Sequence, residues 1–315
     1  MGEFVVRYWL ALAIAVTVFL AWLFPKPALL LPKIYLLDIG VIAIMFMGSL
    51  KLTPSRFKDA ASRPHLPLLA LVQTFAVAPV ASLVIAYFLG FKTPEEQIAV
   101  LICSTQASTL ATGIVLTEVA SGDVALAMVI TVFNNIATVF LTPLAFRLLA
   151  DTTIEVDYRA MATEIAIKIV LPVFAAQAVR RPLSGVVKRY SRQMSITSQL
   201  IILMYIYAGV AAGIEKLQGQ GDILPRLIII VICLHFVLLT INGFVSRIAI
   251  KSPEGRTAFV LCSSQKTLPA AMIIWKGYFP GLPLGPLVAV SYHLTQLVVD
   301  SILAPGFKKL PIIRK

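Results

Sequence analysis

Two short stretches of small polar residues interrupt otherwise apolar runs: Cys103-Ser-Thr-Gln-Ala-Ser-Thr109 and Cys262-Ser-Ser-Gln-Lys-Thr267, the second leading into Leu268 and Pro269. Ser104, Thr105, Gln106, Ser108 and Thr109 in the first, and Ser263, Ser264, Gln265, Lys266 and Thr267 in the second, offer hydroxyls, amides and one ammonium. Such a set binds a polar or ionic solute through hydrogen bonds and charge. Covalent or hydrolytic chemistry asks for other residues, and no HExxH, Ser-His pair or cluster of acids accompanies them. No enzyme is expected, no catalytic residue is assigned, and no cofactor is expected beyond a coupling ion, sodium or a proton. Lys266 stands about ten residues from either end of its apolar run, where an ammonium costs roughly 2.5–3.5 kcal/mol to insert in a bilayer and marks a function. It suits both a ligand contact and a structural cation that caps helix carbonyls in place of a metal ion. Gln106 and Gln265 suit either a ligand or the satisfaction of unwound backbone. Further polar residues flank these stretches: Gln73 in the third apolar run, Thr131, Asn134, Asn135 and Thr138 in the fifth, and His293, Gln296 and Asp300 in the tenth, on one helix face. His293 fits hydrogen-bonded packing, or a ligand or proton relay. Asp300 fits a charge partner for Lys266, a proton carrier, or a solvated carboxylate near a span end. Lys168 reads as an interfacial residue whose stem snorkels.

The elements that must hold these residues are membrane spans. Hydrophobic residues make up 59% of the 315, charged residues only 13%, and the mean hydropathy is +0.90, which excludes a water-soluble globule. A spanning helix takes roughly 20 apolar residues. Runs bounded by Pro, Gly and charge place ten spans at about 8–25, 34–51, 65–90, 97–119, 123–148, 160–181, 195–214, 224–248, 256–277 and 284–306. The first run follows Arg7 as a signal peptide would, but it leads into Pro25-Lys26-Pro27 without a small-x-small site and reads as a span. Cys103, Cys233 and Cys262 lie inside apolar runs and read as reduced thiols. The net charge of +12 belongs to short loops, so no nucleic acid is expected. Seventeen Lys and Arg fall on the side shared by both termini and eight on the other, which places both termini in the cytoplasm, of a bacterial inner membrane.

The chain also matches itself. Residues 92–106, Lys-Thr-Pro-Glu-Glu-Gln-Ile-Ala-Val-Leu-Ile-Cys-Ser-Thr-Gln, align without gaps on residues 251–265, Lys-Ser-Pro-Glu-Gly-Arg-Thr-Ala-Phe-Val-Leu-Cys-Ser-Ser-Gln. Lys, Pro, Glu, Cys, Ser and Gln recur in register, which two unrelated apolar segments would not share. Five spans separate equivalent positions, and an odd number inverts the second copy, so the expectation is two inverted five-helix repeats. Inverted repeats are characteristic of secondary transporters. Polar interruptions at mid-span predict that helices 4 and 9 are broken, near 105–109 and 264–269, and cross, because unwound backbone survives in a membrane only where protein or a cavity satisfies it. Half-helices starting near Thr109 and Leu268 would point positive N-terminal ends at the midplane, as an anion requires.

Several motifs resemble the bile acid:sodium symporter superfamily. Met47-Gly-Ser-Leu-Lys-Leu-Thr-Pro54-Ser-Arg-Phe57 resembles its G-L-x-L-K-P-x-D-F segment, Lys168-Ile-Val-Leu-Pro172-Val its sixth-span K-x-x-L-P-V, and Gly122-Asp-Val-Ala-Leu-Ala127 and Leu141-Thr-Pro143 the two ends of its fifth span. The chain is most similar to the divergent branch of bile acid symporter-like proteins. The resemblance implies an all-α integral membrane fold of ten helices. Panel helices 1–2 would occupy residues 1–64, core helices 3–5 residues 65–150, panel helices 6–7 residues 151–221 and core helices 8–10 residues 222–315. A ligand would bind between panel and core. Sodium ligands carry over only at Thr131, Gln265 and Gln73. The ninth-span E-x-G-x-Q-N reads Leu261-Cys-Ser-Ser-Gln-Lys266, Gly113 and Ile114 replace a fourth-span S-N pair, and Ala127 replaces a serine. The expected function is secondary transport of a small-molecule organic anion by alternating access, in contact with membrane lipid, with sodium dependence in doubt. A cation/proton antiporter, with Asp300 or Glu164 beside Lys266, and a non-transport membrane sensor or regulator are the alternatives. The sequence carries no reading of oligomeric state.

Overall fold

A computed structural model describes residues 2–28, 30–31, 35–52, 63–91, 93–150, 155–217, 223–310 and 313. Thr53 to Phe57 of the second-span motif, Lys92 at the head of the repeat, and several of the loop lysines and arginines lie outside them. The described residues are helical, with no strand among them. In chain order the helices are α1 (Gly2–Leu23), α2 (Pro25–Ala28), α3 (Leu36–Leu50), α4 (His65–Phe88), α5 (Pro94–Ser104), α6 (Leu110–Val119), α7 (Val124–Leu149), α8 (Tyr158–Val179), α9 (Ser184–Leu217), α10 (Ile223–Ala249), α11 (Pro253–Ser264), α12 (Leu268–Tyr278) and α13 (Leu284–Leu303).

Six segments among the described residues are long and apolar enough to cross a membrane: α4, α7, α8, residues 184–213 of α9, 225–249 of α10, and α13 with the 3-10 turns after it. The protein is an integral membrane protein. The other four expected spans take different forms. Residues 12–23 and α3 are apolar but shorter. The fourth and ninth are each split into two short helices, α5 with α6 and α11 with α12. Neither half alone has the length of a span.

Two long helices contain a π-turn, Gln73–Val77 in α4 and Ala166–Val170 in α8. Each has a proline just beyond it, Pro79 and Pro172. A proline ring clashes with the carbonyl four residues back and brings no N–H, and widening one turn relieves the clash. In α4 the N–H of Ala78 consequently reaches back to the carbonyl of Gln73. Pro79 has no hydrogen to give Thr74, so the Thr74 carbonyl is left free of the helix ladder.

Capping fixes where the split helices start. Thr93 closes a capping box with Glu96 on α5, and Ser252 accepts the Gly255 N–H on α11 at 3.2 Å. These are equivalent positions of the internal repeat. Asp123 caps α7 through the Leu126 N–H at 3.0 Å, and its own N–H donates to the Glu254 carbonyl at 2.9 Å, so α7 and α11 begin side by side. At the head of α11, Lys308 donates to Glu254 at 2.7 Å, and this hydrogen bond holds the Glu254 carboxyl below its usual range. In the interior, α13 packs against α5, α9 and α10, α3 against α8, and α1 against α9.

Candidate functional site

The two interruptions meet. α5 ends at Ser104 and α6 starts at Leu110, while α11 ends at Ser264 and α12 starts at Leu268. Between them the N–H of Thr267 donates to the carbonyl of Ala107 at 2.9 Å, joining the unwound strands backbone to backbone. Every residue from 104 to 109 and from 263 to 267 is buried. Unwound peptide groups there need internal partners, and neighbouring polar side chains supply them. Gln296 grips Lys266, accepting its N–H at 2.8 Å and donating to its carbonyl at 2.9 Å. Asn135 donates to the Ser108 carbonyl at 3.0 Å, Thr142 to that of Thr105 at 2.7 Å, and Tyr292 to that of Ser264 at 2.6 Å.

Most sequence-predicted site residues are brought together here in distinct roles. Gln106 turns back on its own half-helix, donating to Ile102 O at 2.8 Å and Thr105 Oγ1 at 3.2 Å. Gln265 instead spans the crossover, accepting from Thr109 and donating to Asp300 at 2.7 Å. Thr109 also caps α6 through the Gly113 N–H. Ser104 accepts from Ser82 at 2.9 Å, and Ser264 from Asn242 at 2.9 Å. Thr131 donates to the carbonyls of its own helix at Ala127 and Met128. Asn134 donates to Thr74 Oγ1 at 3.0 Å.

Lys266 and Asp300 go to partners other than those expected. The Lys266 ammonium donates to the Thr74 carbonyl at 2.7 Å, the group freed by the π-turn before Pro79, not to the carbonyl ends of α5 or α11. Asp300 is fully buried and is neither solvated nor bonded to Lys266. Its Oδ1 lies 2.9 Å from His235 Nε2, and its Oδ2 takes the Gln265 amide. The physical reason is that each has another partner in reach: the Gln265 amide and His235 for Asp300, and the freed Thr74 carbonyl for Lys266. His235 and Tyr292 complete this network, with Nδ1 and the phenol oxygen 3.2 Å apart. The Lys168 ammonium is bound by both Asp38 and Glu164.

Sequence reading missed His235, Asn242, Tyr292, Thr74 and Asp38. His235 and Asp38 carried a usable signal, each being an ionisable side chain within an apolar run. Thr74 carried none, since its contact is made by a backbone oxygen. Several buried polar atoms around the crossover have no hydrogen-bond partner among the described residues: Gln73 Oε1, Ser108 Oγ, Asn134 Oδ1, Asn135 Oδ1, Ser263 Oγ and His293 Nε2. His293 uses its other nitrogen on Gln296, at 2.9 Å. Buried polar groups are costly unless paired, so this unused capacity suits a polar solute or ion. Among the described residues no group of three or more His, Cys, Asp or Glu is placed to hold a metal.

Comparison with known proteins finds relatives along nearly the whole chain. A family model described as the SBF-like CPA transporter family matches residues 8–309. The chain is 24% identical over 322 residues to sodium/bile acid cotransporter 7-B of Xenopus laevis, covering 98% of this chain and 94% of the relative. It is likewise 24% identical over 326 residues to sodium/bile acid cotransporter 7 of Rattus norvegicus, covering 99% and 96%. An uncharacterized protein of Pseudomonas aeruginosa shares 26% identity over 284 residues, covering 86% and 84%.

Proposed function

Because the chain belongs to the SBF-like CPA transporter family, we propose that it is a secondary transporter that moves a small organic anion by alternating access. In this reading ten spans form two inverted five-helix repeats, with both termini in the cytoplasm, of a bacterial inner membrane. Residues 1–64 and 151–221 are the panel domain and residues 65–150 and 222–315 the core. The observation that carries the proposal is the pair of buried helix interruptions joined through Thr267 and Ala107, with the Lys266 ammonium beside them. An ammonium and the N-terminal ends of α6 and α12 favour negative charge. The equivalent caps at Thr93 and Ser252 support a duplicated core. An apolar groove of about 470 Å³ between α1, α9, α10 and α13, lined by Val18, Phe19, Trp22, Val210 and Leu287 among others, has room for the hydrophobic body of such an anion.

The curated relatives bear sodium and bile acid in their names, which makes sodium the first coupling ion to test. The residues argue against a strong sodium site. Gln265 is committed to Thr109 and Asp300, Thr131 turns back on its own helix, and a fixed cation already stands at Lys266. A proton is the other candidate. The antiporter alternative gains nothing from the geometry, since Asp300 is bonded to His235 and Gln265, and Glu164 to Lys168. The test is flux of a panel of organic anions into proteoliposomes, with sodium and pH gradients varied independently. Saturable anion uptake that persists in choline is expected. Flux of cations alone, or of nothing, would overturn the reading.

A further inference from the structure

Away from the crossover, four charged side chains form a chain of ion pairs across a helix boundary. Asp38, in the first turn of α3, takes the Lys168 ammonium on Oδ1 at 2.5 Å and the Lys276 ammonium on Oδ2. Lys168 also binds Glu164, one turn earlier on α8. Lys276 sits in the last turn of α12 and lies over the Tyr35 ring, 4.8 Å from its centre. Gly277 lets Glu164 come close to the end of α12, since a Cβ built there would stand 2.9 Å from Glu164 Oε2. Two acids and two lysines cancel, and their side chains are only 9 to 22% exposed.

The boundary divides this set unevenly. Asp38, Glu164 and Lys168 lie on α3 and α8, which pack closely together, and alone they would carry one net negative charge. Lys276 alone, on α12, neutralises it. α12 is tied at its other end to the crossover through Thr267, so the half-helix links the site to this ion pair as a short rod. Each charge also sits well in its helix, an acid in the first turn of α3 and a base in the last turn of α12. A half-buried pair is held while its surroundings are dry, because separating the charges leaves each uncompensated. It parts at little cost once water reaches both.

We propose that Asp38 and Lys276 form a latch that closes this end of the molecule and that must break for the end to open during transport. The proposal rests on the reading that α3 and α12 belong to bodies that move relative to one another. Hydrogen exchange of the full chain in lipid nanodiscs tests it without any solute. Lys276→Met is expected to speed amide exchange at residues 36–45 and 272–278 by about fivefold or more, with α7 unchanged. Lys276→Arg is expected to restore protection. Lys168→Met, which spares the pair across the boundary, is expected to leave 272–278 protected. No change at either end, an equal rise along α7, or the same rise from Lys168→Met overturns the latch, and Asp38→Asn gives an independent reading if Lys276→Met does not accumulate. Because exchange is read without transport, a chain that moved no solute but showed opened ends would sink the transport reading and leave the latch standing.

Discussion

At the scale of single residues, Lys266 and the Thr74 carbonyl depend on each other. Thr74 O is freed by a proline-induced turn, and Lys266 is the side chain that meets it, in a region where an unpaired carbonyl and an unpaired ammonium are both costly. Lys266→Met keeps the aliphatic bulk and removes the charge. It is expected to lower stability by about 1–3 kcal/mol and to abolish most anion flux. Lys266→Ala opens space as well, and should recover part of the lost stability when sodium replaces choline. Thermal unfolding and proteoliposome flux of both variants, in either salt, check this. Unaltered melting and transport in both would show that Lys266 organises nothing. Its central position in an apolar run was enough to single it out, but its partner was not legible, because a backbone oxygen has no sequence signature.

At the scale of elements, the prolines of α4 and α8 explain why these helices widen where they do. Pro79→Ala would supply the missing N–H, which competes with Lys266 for the Thr74 carbonyl or lets the turn tighten to α. The expected outcome is a clear drop in flux with less than about 1 kcal/mol change in stability, because one donor replaces another. Flux and melting measured together decide it. Wild-type flux would mean that the proline does not free the carbonyl. The breaks at 105–109 and 265–267 follow from runs of Ser, Thr and Gln with Pro269 nearby, residues that compete with a continuous helix. The π-turns were less legible, since a proline in an apolar span allows a kink as well as a widened turn.

At the scale of the whole molecule, the proposed ten-span arrangement fixes which loops face which side. At Gly185, at the start of α9, and at Gly281, between α12 and α13, an added Cβ meets nothing within 4 Å, so a cysteine is accommodated at either. An impermeant maleimide applied to sealed right-side-out vesicles should label Gly281→Cys, and should label Gly185→Cys only after permeabilisation. Cys103 and Cys262 are buried and Cys233 partly so, and replacing all three keeps the background low. Labelling of both sites from one face rules the arrangement out.

Composition and the internal match were enough to identify a membrane protein and to locate its two polar interruptions, because hydropathy and small polar residues act locally on each helix. Family membership was legible for a related reason, the motifs being spread along the whole chain. The partners of the buried charges were decided only by tertiary packing. Asp300 and Lys266 share the interior, yet Gln265 reaches Asp300 while Lys266 turns to a carbonyl on α4. Asp38 gathers lysines 130 and 238 residues away. Pairings over such separations depend on which helix faces meet, and that is set by the packing of the whole bundle.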